Sequence, residues 1–285
     1  MATDRIYKAT SIGRPLDPVY PTNRAVLLIV PFAGVVAAAV AGLRGAGLAD
    51  VAIAGLVGIA VAVGSWALAR ELAPDDDAAA FVAMALAYAT YLAVGSPSIL
   101  LLFTCLLVVR VVNRTSGLAA RISDSLVVLV LTLATMYATR SPLLGAVGAL
   151  AFAFDAELRE PLRRQWVFAA LCLAGAGVYA AWFGTGIDDL ATPTGVTAWL
   201  VAAISLLYAV SYFRTRRVAA VGDVSGEALA TSRVRAGMFI ALLVAAQALT
   251  SGPNGTVDSS AVWAMMAGVG IAGLRMKPRH RAGRS

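Results

Sequence analysis

The sequence has almost none of the residues that build metal centres and soluble active sites. Its 285 residues include one histidine, His280, and two cysteines, Cys105 and Cys172. One histidine excludes a histidine cluster around a metal and argues against a histidine-based catalytic triad. Both cysteines lie inside apolar runs, so we predict neither a disulfide framework nor a thiolate metal site. Soluble catalytic motifs are also missing, and we predict no catalytic residue and no cofactor, with Mg²⁺ as the exception considered below.

Charged residues are also scarce. Charged residues make up 14% of the chain and hydrophobic residues 60%, whereas ordinary soluble domains carry about 25% charged residues. A soluble fold needs more charge than this, because Asp, Glu, Lys and Arg rarely lie inside. The charges cluster between long apolar runs, which indicates lipid as the main solvent. The net charge of +7 does not predict a nucleic-acid partner, because the basic residues lie at the ends of apolar segments.

Long apolar segments are what the sequence has in abundance. Lipid offers no partner for a backbone N–H, so these segments must be helices or a closed barrel, and they lack the alternation of barrel strands. We therefore predict an all-α, polytopic transmembrane helix bundle of about ten spans. The ten segments are Ala25 to Leu43, Val51 to Ala69, Ala78 to Val94, Ser98 to Val112, Ser125 to Thr139, Pro142 to Phe154, Trp166 to Gly184, Thr194 to Phe213, Ala236 to Thr250 and Ser259 to Leu274.

The basic residues predict the orientation of these segments. With the N-terminus in the cytoplasm, every Lys and Arg except Arg44 and Arg140 falls on the cytoplasmic side. Such an asymmetry in short loops sets membrane orientation. We therefore expect a multi-pass protein of the cell membrane with both termini cytoplasmic. Its regions are a cytoplasmic N-terminal arm at residues 1–24, a transmembrane domain at 25–274 and a basic tail at 275–285.

The fifth and sixth segments allow a second arrangement. They hold about 15 and 13 residues, so each covers roughly 20 to 23 Å of a hydrocarbon core near 30 Å. They are either short spans or one re-entrant hairpin, which would leave eight spans in total. The hairpin would place Arg140 deep in the membrane, where a charge is costly and usually functional. Both versions keep the termini on one side.

A polar cluster flanks the fourth to seventh segments on the predicted cytoplasmic side. Arginine forks suit phosphate and carboxylate groups, so the cluster is a candidate site for anionic lipid headgroups or phosphorylated solutes. The alternative is that these side chains only anchor the helices at the interface, with Asp and Glu as partners. The candidate residues are Arg110, Asn113, Arg114, Arg121, Arg163 and Arg164.

Carboxylates occupy two loops on the same side. Clustered carboxylates can hold Mg²⁺, and Mg²⁺ can hold a diphosphate. The candidate metal ligands are Asp75, Asp76, Asp77, Asp155, Glu157 and Glu160. In position these loops are similar to those that carry the aspartate-rich motifs of intramembrane prenyltransferases, which implies a lipid diphosphate as substrate. The spaced motif itself is missing, and acidic residues after Pro74 also suit the first turn of the third segment.

Function follows only weakly from these features. No Asp, Glu or Lys lies at the centre of a predicted span. This argues against ion-coupled transport through such a residue. Ten spans can form two inverted halves, and in span count alone the chain resembles the drug/metabolite class of transporters. Our leading hypothesis is transport or permeation of a small solute or lipid. The alternatives are a Mg²⁺-dependent intramembrane enzyme acting on a lipid diphosphate and a non-catalytic scaffold. The expected partners are the bilayer and its anionic headgroups on the cytoplasmic face.

Overall fold

The structure, a computed structural model, is all-helical over the residues it describes, which are 7–184 and 193–275. The all-α prediction is confirmed: the described residues contain an isolated bridge between Val221 and Ala228 but no β-strand. The basic tail, including His280, lies outside the described residues. The helices are α1 (Pro21–Leu43), α2 (Leu48–Leu72), α3 (Asp77–Val94), α4 (Ile99–Asn113), α5 (Ile122–Ala138), α6 (Pro142–Glu157), α7 (Gln165–Phe183), α8 (Gly195–Arg214), α9 (Thr231–Ala248), α10 (Gly252–Asp258) and α11 (Ser260–Arg275).

In the described part of the chain, five helices are long and apolar enough to cross a membrane, which indicates a membrane-embedded protein. They are α1, α2, α3, α7 and α8, and the pair α10–α11, bent by 54°, makes a sixth if it counts as one span. The prediction of ten spans is therefore not confirmed by helix length. The reason lies in the short helices: α4 has 15 residues and α5 has 17. At 1.5 Å per residue these cover about 23 and 26 Å, less than the hydrocarbon core.

The helices run between two ends that differ in chemistry. We call one the arginine-rich end, where residues 7–20 meet the loops at 114–121, 158–164 and 215–230. At the opposite end, Arg44 Nη2 donates to Leu92 O over 2.9 Å, and Ser141 Oγ bonds to Gln247. The turn between α5 and α6 lies at this opposite end, while Asp124 of α5 bonds to the N-terminal arm. Helices α5 and α6 therefore each run from one end of the bundle to the other, which is the course expected of two short spans.

The short helix α4 lies inside the bundle, whereas the long helices α1 and α8 lie at its rim. Helix α4 packs against α2, α5, α6 and α9, and ten of its 15 residues are buried. By contrast, only four of the 23 residues of α1 are buried, and α8 presents large exposed side chains such as Trp199 and Phe213. Helix α4 is therefore surrounded mainly by other helices of the protein.

Small residues bring the helices close together. A Cβ placed on Gly58 of α2 would lie 2.7 Å from Ala37 Cβ of α1, and one on Gly34 of α1 would lie 2.8 Å from Ile59 of α2. Likewise, a Cβ on Gly268 of α11 would lie 2.5 Å from the backbone of α3. Without a hydrophobic driving force between helices in lipid, such close packing is a main source of association.

Candidate functional site

The first feature of the arginine-rich end is a fully buried carboxylate at the end of α2. Glu71 Oε1 accepts hydrogen bonds from Arg110 Nε at 3.0 Å and from Arg14 Nη1 at 3.2 Å. Its other oxygen accepts from Thr115 Oγ1 at 2.5 Å. Asn113 Nδ2 donates to the backbone oxygen of Glu71 at 2.7 Å. One carboxylate thus joins α2, the end of α4 and the N-terminal arm.

A second buried carboxylate, Asp155 of α6, has a matching arrangement. Its Oδ1 accepts from Arg114 Nε and from Arg233 Nη1, both at 2.7 Å. Its Oδ2 accepts from Gln165 Nε2 at 3.0 Å. Asp155 is 0% exposed and the two arginine side chains are 8% and 5% exposed. This carboxylate therefore links α6 to α4, α7 and α9.

The last turn of α4 connects the two carboxylates. Arg110 and Arg114 are four residues apart, and residues at this spacing are neighbours on a helix. Arg114 has a positive φ of 50° where the helix ends, which turns the chain away from the helix axis. As a result, Arg110 reaches Glu71 and Arg114 reaches Asp155. We call these groups the ion-pair network, namely Glu71, Asp155, Arg14, Arg110, Arg114 and Arg233.

The N-terminal arm, residues 7–20, covers this end of the bundle. Asp124, near the start of α5, accepts the backbone N–H and the hydroxyl of Ser11 at 2.8 and 2.5 Å, and the hydroxyl of Thr10 at 2.7 Å. Arg14 also forms a two-fold hydrogen bond with Asp223, at 2.5 and 2.8 Å. Burial, together with the Asp223 carboxylate, raises the pKa of Tyr7 to about 12. The arm is therefore held by charged and polar contacts to the bundle.

The predicted anion-binding residues do not all meet. Three of them, Arg110, Asn113 and Arg114, come together at the end of α4. Arg121 donates instead to backbone oxygens of the N-terminal arm, Arg163 pairs with Glu157 on the surface and Arg164 bonds to Ala120 O.

Sequence reasoning missed central members of the ion-pair network. Glu71 lies just beyond the predicted second segment, Arg233 lies just before the predicted ninth segment, and Arg14 lies in the predicted N-terminal arm. The one available signal for Glu71 was an acidic residue directly beside a long apolar run, since acidic groups there need a partner.

The six predicted metal ligands each have separate partners. Asp75 accepts from the backbone N–H groups of residues 219 and 220, Asp76 caps the start of α3 and Asp77 pairs with Arg70. The others are Asp155 in the ion-pair network, Glu157 beside Arg163, and Glu160 at 3.8 Å from Arg159. Among the described residues, no three His, Cys, Asp or Glu side chains are grouped so that they could hold a metal ion.

Polar groups inside the bundle bond from helix to helix. Thr104 Oγ1 of α4 and Thr135 Oγ1 of α5 are 2.7 Å apart. Tyr91 of α3 donates to Ala54 O of α2 at 2.9 Å, and Tyr208 of α8 donates to a backbone oxygen of α9 at 3.0 Å. These groups are used for packing in the present conformation.

Two cavities open near the arginine-rich end. One lies between the turn that precedes α3 and the ends of α8 and α11. The other, an open depression, lies beside the ion-pair network, and Arg114 and Arg233 of that network line it. The second cavity thus places buried arginines next to open space.

Comparisons of the chain with protein-family models, with curated proteins and with solved structures give no match. Arguments about function therefore start from the ion-pair network and the cavity beside it.

Proposed function

We propose that the protein transports a small solute or lipid that carries an anionic group, and that the ion-pair network is a gate at the arginine-rich end. The observation that supports this is the pair of buried carboxylates, each held by two arginines from other segments. Replacing such buried pairs by apolar side chains often leaves stability unchanged or raises it. A contribution to stability alone therefore does not account for these buried ion pairs. A function in which the arginines exchange one anionic partner for another does account for them.

The gate would open by substitution of one anion for another. Asp155 holds Arg114 of α4 and Arg233 of α9 on the same oxygen. An anionic ligand that binds these guanidinium groups would compete with Asp155, and α4, α6 and α9 would lose the atom that joins them. Such a ligand shifts the closed and open populations only by its differential affinity for the two states. The Mg²⁺-dependent enzyme has no comparable support, because the carboxylates it needs lie with separate partners.

The proposal includes an orientation in the cell membrane. The arginine-rich end faces the cytoplasm, with both termini on that side and with anionic headgroups near its exposed arginines, in accordance with the charge bias of the loops. Cysteine labelling tests this, because Cys105 and Cys172 are buried and give little background. An impermeant maleimide should label Arg44→Cys in intact cells and Arg216→Cys only after lysis; both positions are exposed. The reverse result would overturn the orientation.

Flux in proteoliposomes tests transport itself. Liposomes with the purified protein should release entrapped glycerol 3-phosphate faster than protein-free liposomes. Thr115→Ala removes one hydrogen bond to Glu71 and should weaken the closed gate by about 1 kcal/mol, raising basal efflux roughly fivefold. Asp50→Asn, an exposed change at the opposite end, is the matched control and should leave efflux unchanged. Folded protein that gives no flux above the protein-free background would contradict transport and favour the scaffold.

A further inference from the structure

The cavity beside the ion-pair network has a distinct composition, and we call it the Arg159 cavity. It lies between the end of α4, the connection from α6 to α7 and the segment that leads into α9. Its lining includes Asn113, Arg114, Arg159, Glu160 and Arg233, together with residues of the stretch 225–230. Arg159 and Arg233 were not among the residues predicted from the sequence to bind an anion.

Two buried arginines of this cavity retain unused hydrogen-bond donors. An arginine carries five N–H groups. In the described part of the chain, Arg114 makes three hydrogen bonds, to Asp155 Oδ1, Asp155 O and Glu160 O, which leaves two N–H groups. Arg233 makes four, to Asp155, Val112 O and twice to Arg159 O, which leaves one. Three N–H groups of these buried cations therefore have no hydrogen-bond partner among the described residues.

The charges at the cavity favour an anion at its inner side. The buried layer holds Arg114 and Arg233 against the single carboxylate of Asp155, so it carries one net positive charge. Helix α9 begins beside the cavity, and its N-cap residue, Ala230, offers no side-chain cap. The first N–H groups of a helix and its dipole attract anions. At the exposed rim, Glu160 and Glu227 carry two negative charges against the one positive charge of Arg159. Water screens all three, whereas the buried charges are screened much less.

Arg159 lies at the exposed rim of the cavity and adds a third guanidinium group to it. Its side chain is 63% exposed, and its nearest charged partner is Glu160 at 3.8 Å, beyond hydrogen-bond distance. Its backbone oxygen already accepts two hydrogen bonds from Arg233, so the residue is fixed while its guanidinium extends into water. The guanidinium fork is complementary in geometry to carboxylate and phosphate oxygens.

We propose that the Arg159 cavity binds a phosphate monoester group, presented either by a small soluble molecule or by a lipid headgroup. A phosphate monoester offers three acceptor oxygens and close to two negative charges at neutral pH. Its oxygens match in number the three N–H groups of Arg114 and Arg233 that lack a partner, and the guanidinium group of Arg159 adds further donors. The inference rests on the proposed function for its role in transport, because it names the group that would bind beside Asp155 and compete with it for Arg114 and Arg233. Binding at the cavity can be measured without transport.

Binding of radiolabelled inorganic phosphate to the purified, full-length protein in detergent tests the site. We expect saturable binding that Arg159→Gln weakens about five- to tenfold, the loss expected for charge-assisted hydrogen bonds at a part-exposed site. Arg163→Gln is the matched control, because Arg163 lies in the same connection and is 71% exposed but does not line the cavity. No saturable binding, or equal weakening by both substitutions, would overturn the site.

Two further experiments identify the source of the phosphate and separate this inference from the transport proposal. Competition by glycerol 3-phosphate in detergent supports a soluble ligand. Loss of phosphate binding in nanodiscs that contain phosphatidic acid, but not in nanodiscs of phosphatidylcholine, supports a lipid headgroup. If Arg159-dependent binding occurs and no flux is seen, the site stands and transport fails. If flux occurs while the protein shows no Arg159-dependent phosphate binding, transport stands and the site fails.

Discussion

Asp155→Asn is the most informative single substitution in the ion-pair network. The carboxylate is fully buried and accepts from two guanidinium groups at 2.7 Å and from Gln165 at 3.0 Å. Breaking a buried pair from one side costs about 3–5 kcal/mol, because the remaining charge stays buried without its partner. Asparagine keeps the volume and one acceptor oxygen, so we expect the lower part of this range, about 3 kcal/mol. That corresponds to roughly a hundredfold change in the unfolding equilibrium.

The free energy of unfolding can be measured by titrating the purified protein with SDS and following helical circular dichroism. Glu157→Gln is the control, because Glu157 lies two residues later in the same helix but is 47% exposed and pairs with an exposed arginine. Exposed pairs contribute about 0–1 kcal/mol, so this variant should resemble the wild type. Equal losses in the two variants, or a loss below about 1 kcal/mol for Asp155→Asn, would refute the argument from burial.

Three further predictions concern packing and the N-terminal arm. Gly268→Ala should lower the unfolding free energy in the same titration, because its Cβ would meet the backbone of α3 at 2.5 Å. The control is Gly177→Ala, whose Cβ would have no neighbour within 4 Å. This control should be neutral or stabilising by up to about 1 kcal/mol. A double-mutant cycle with Thr104→Val and Thr135→Val should give a coupling near 0.6 kcal/mol, and a coupling of zero would contradict the hydrogen bond. Asp124→Asn should speed amide hydrogen exchange in the N-terminal arm, since it weakens three hydrogen bonds that hold it; unchanged exchange would show that the arm is held by other contacts.

The helices could be predicted from the sequence because apolar runs in lipid must be helical. The segment from Ser98 to Val112 corresponds closely to Ile99–Asn113 in the structure. The helix Gly252–Asp258 was missed because its Gly-Pro-Asn-Gly start is typical of a turn. In the structure Gly255 packs so closely on the carbonyl of Ala248 that a Cβ there would clash. That contact depends on how two helices meet, and a local pattern does not contain it.

The site could be predicted only where its members are neighbours in sequence. Arg110, Asn113 and Arg114 share one turn of α4, so helical spacing was enough to group them. Their partner Glu71 is separated from Arg110 by 39 positions, and Arg233 is separated from Asp155 by 78. Which charges pair over such separations is decided by the packing order of the helices, and hydropathy carries no information about that order.

The charge bias that predicts the orientation and the ion-pair network use the same arginines. The rule that predicts orientation counts Lys and Arg near the ends of spans and gives Asp and Glu little weight. Glu71 and Asp155 can therefore neutralise buried arginines without changing the predicted orientation. All salt bridges among the described residues lie at the arginine-rich end, whereas Arg44 at the opposite end bonds to a carbonyl. Exchangeable charge contacts thus close one end of the bundle, so an anion arriving from the predicted cytoplasmic side would meet the proposed gate first.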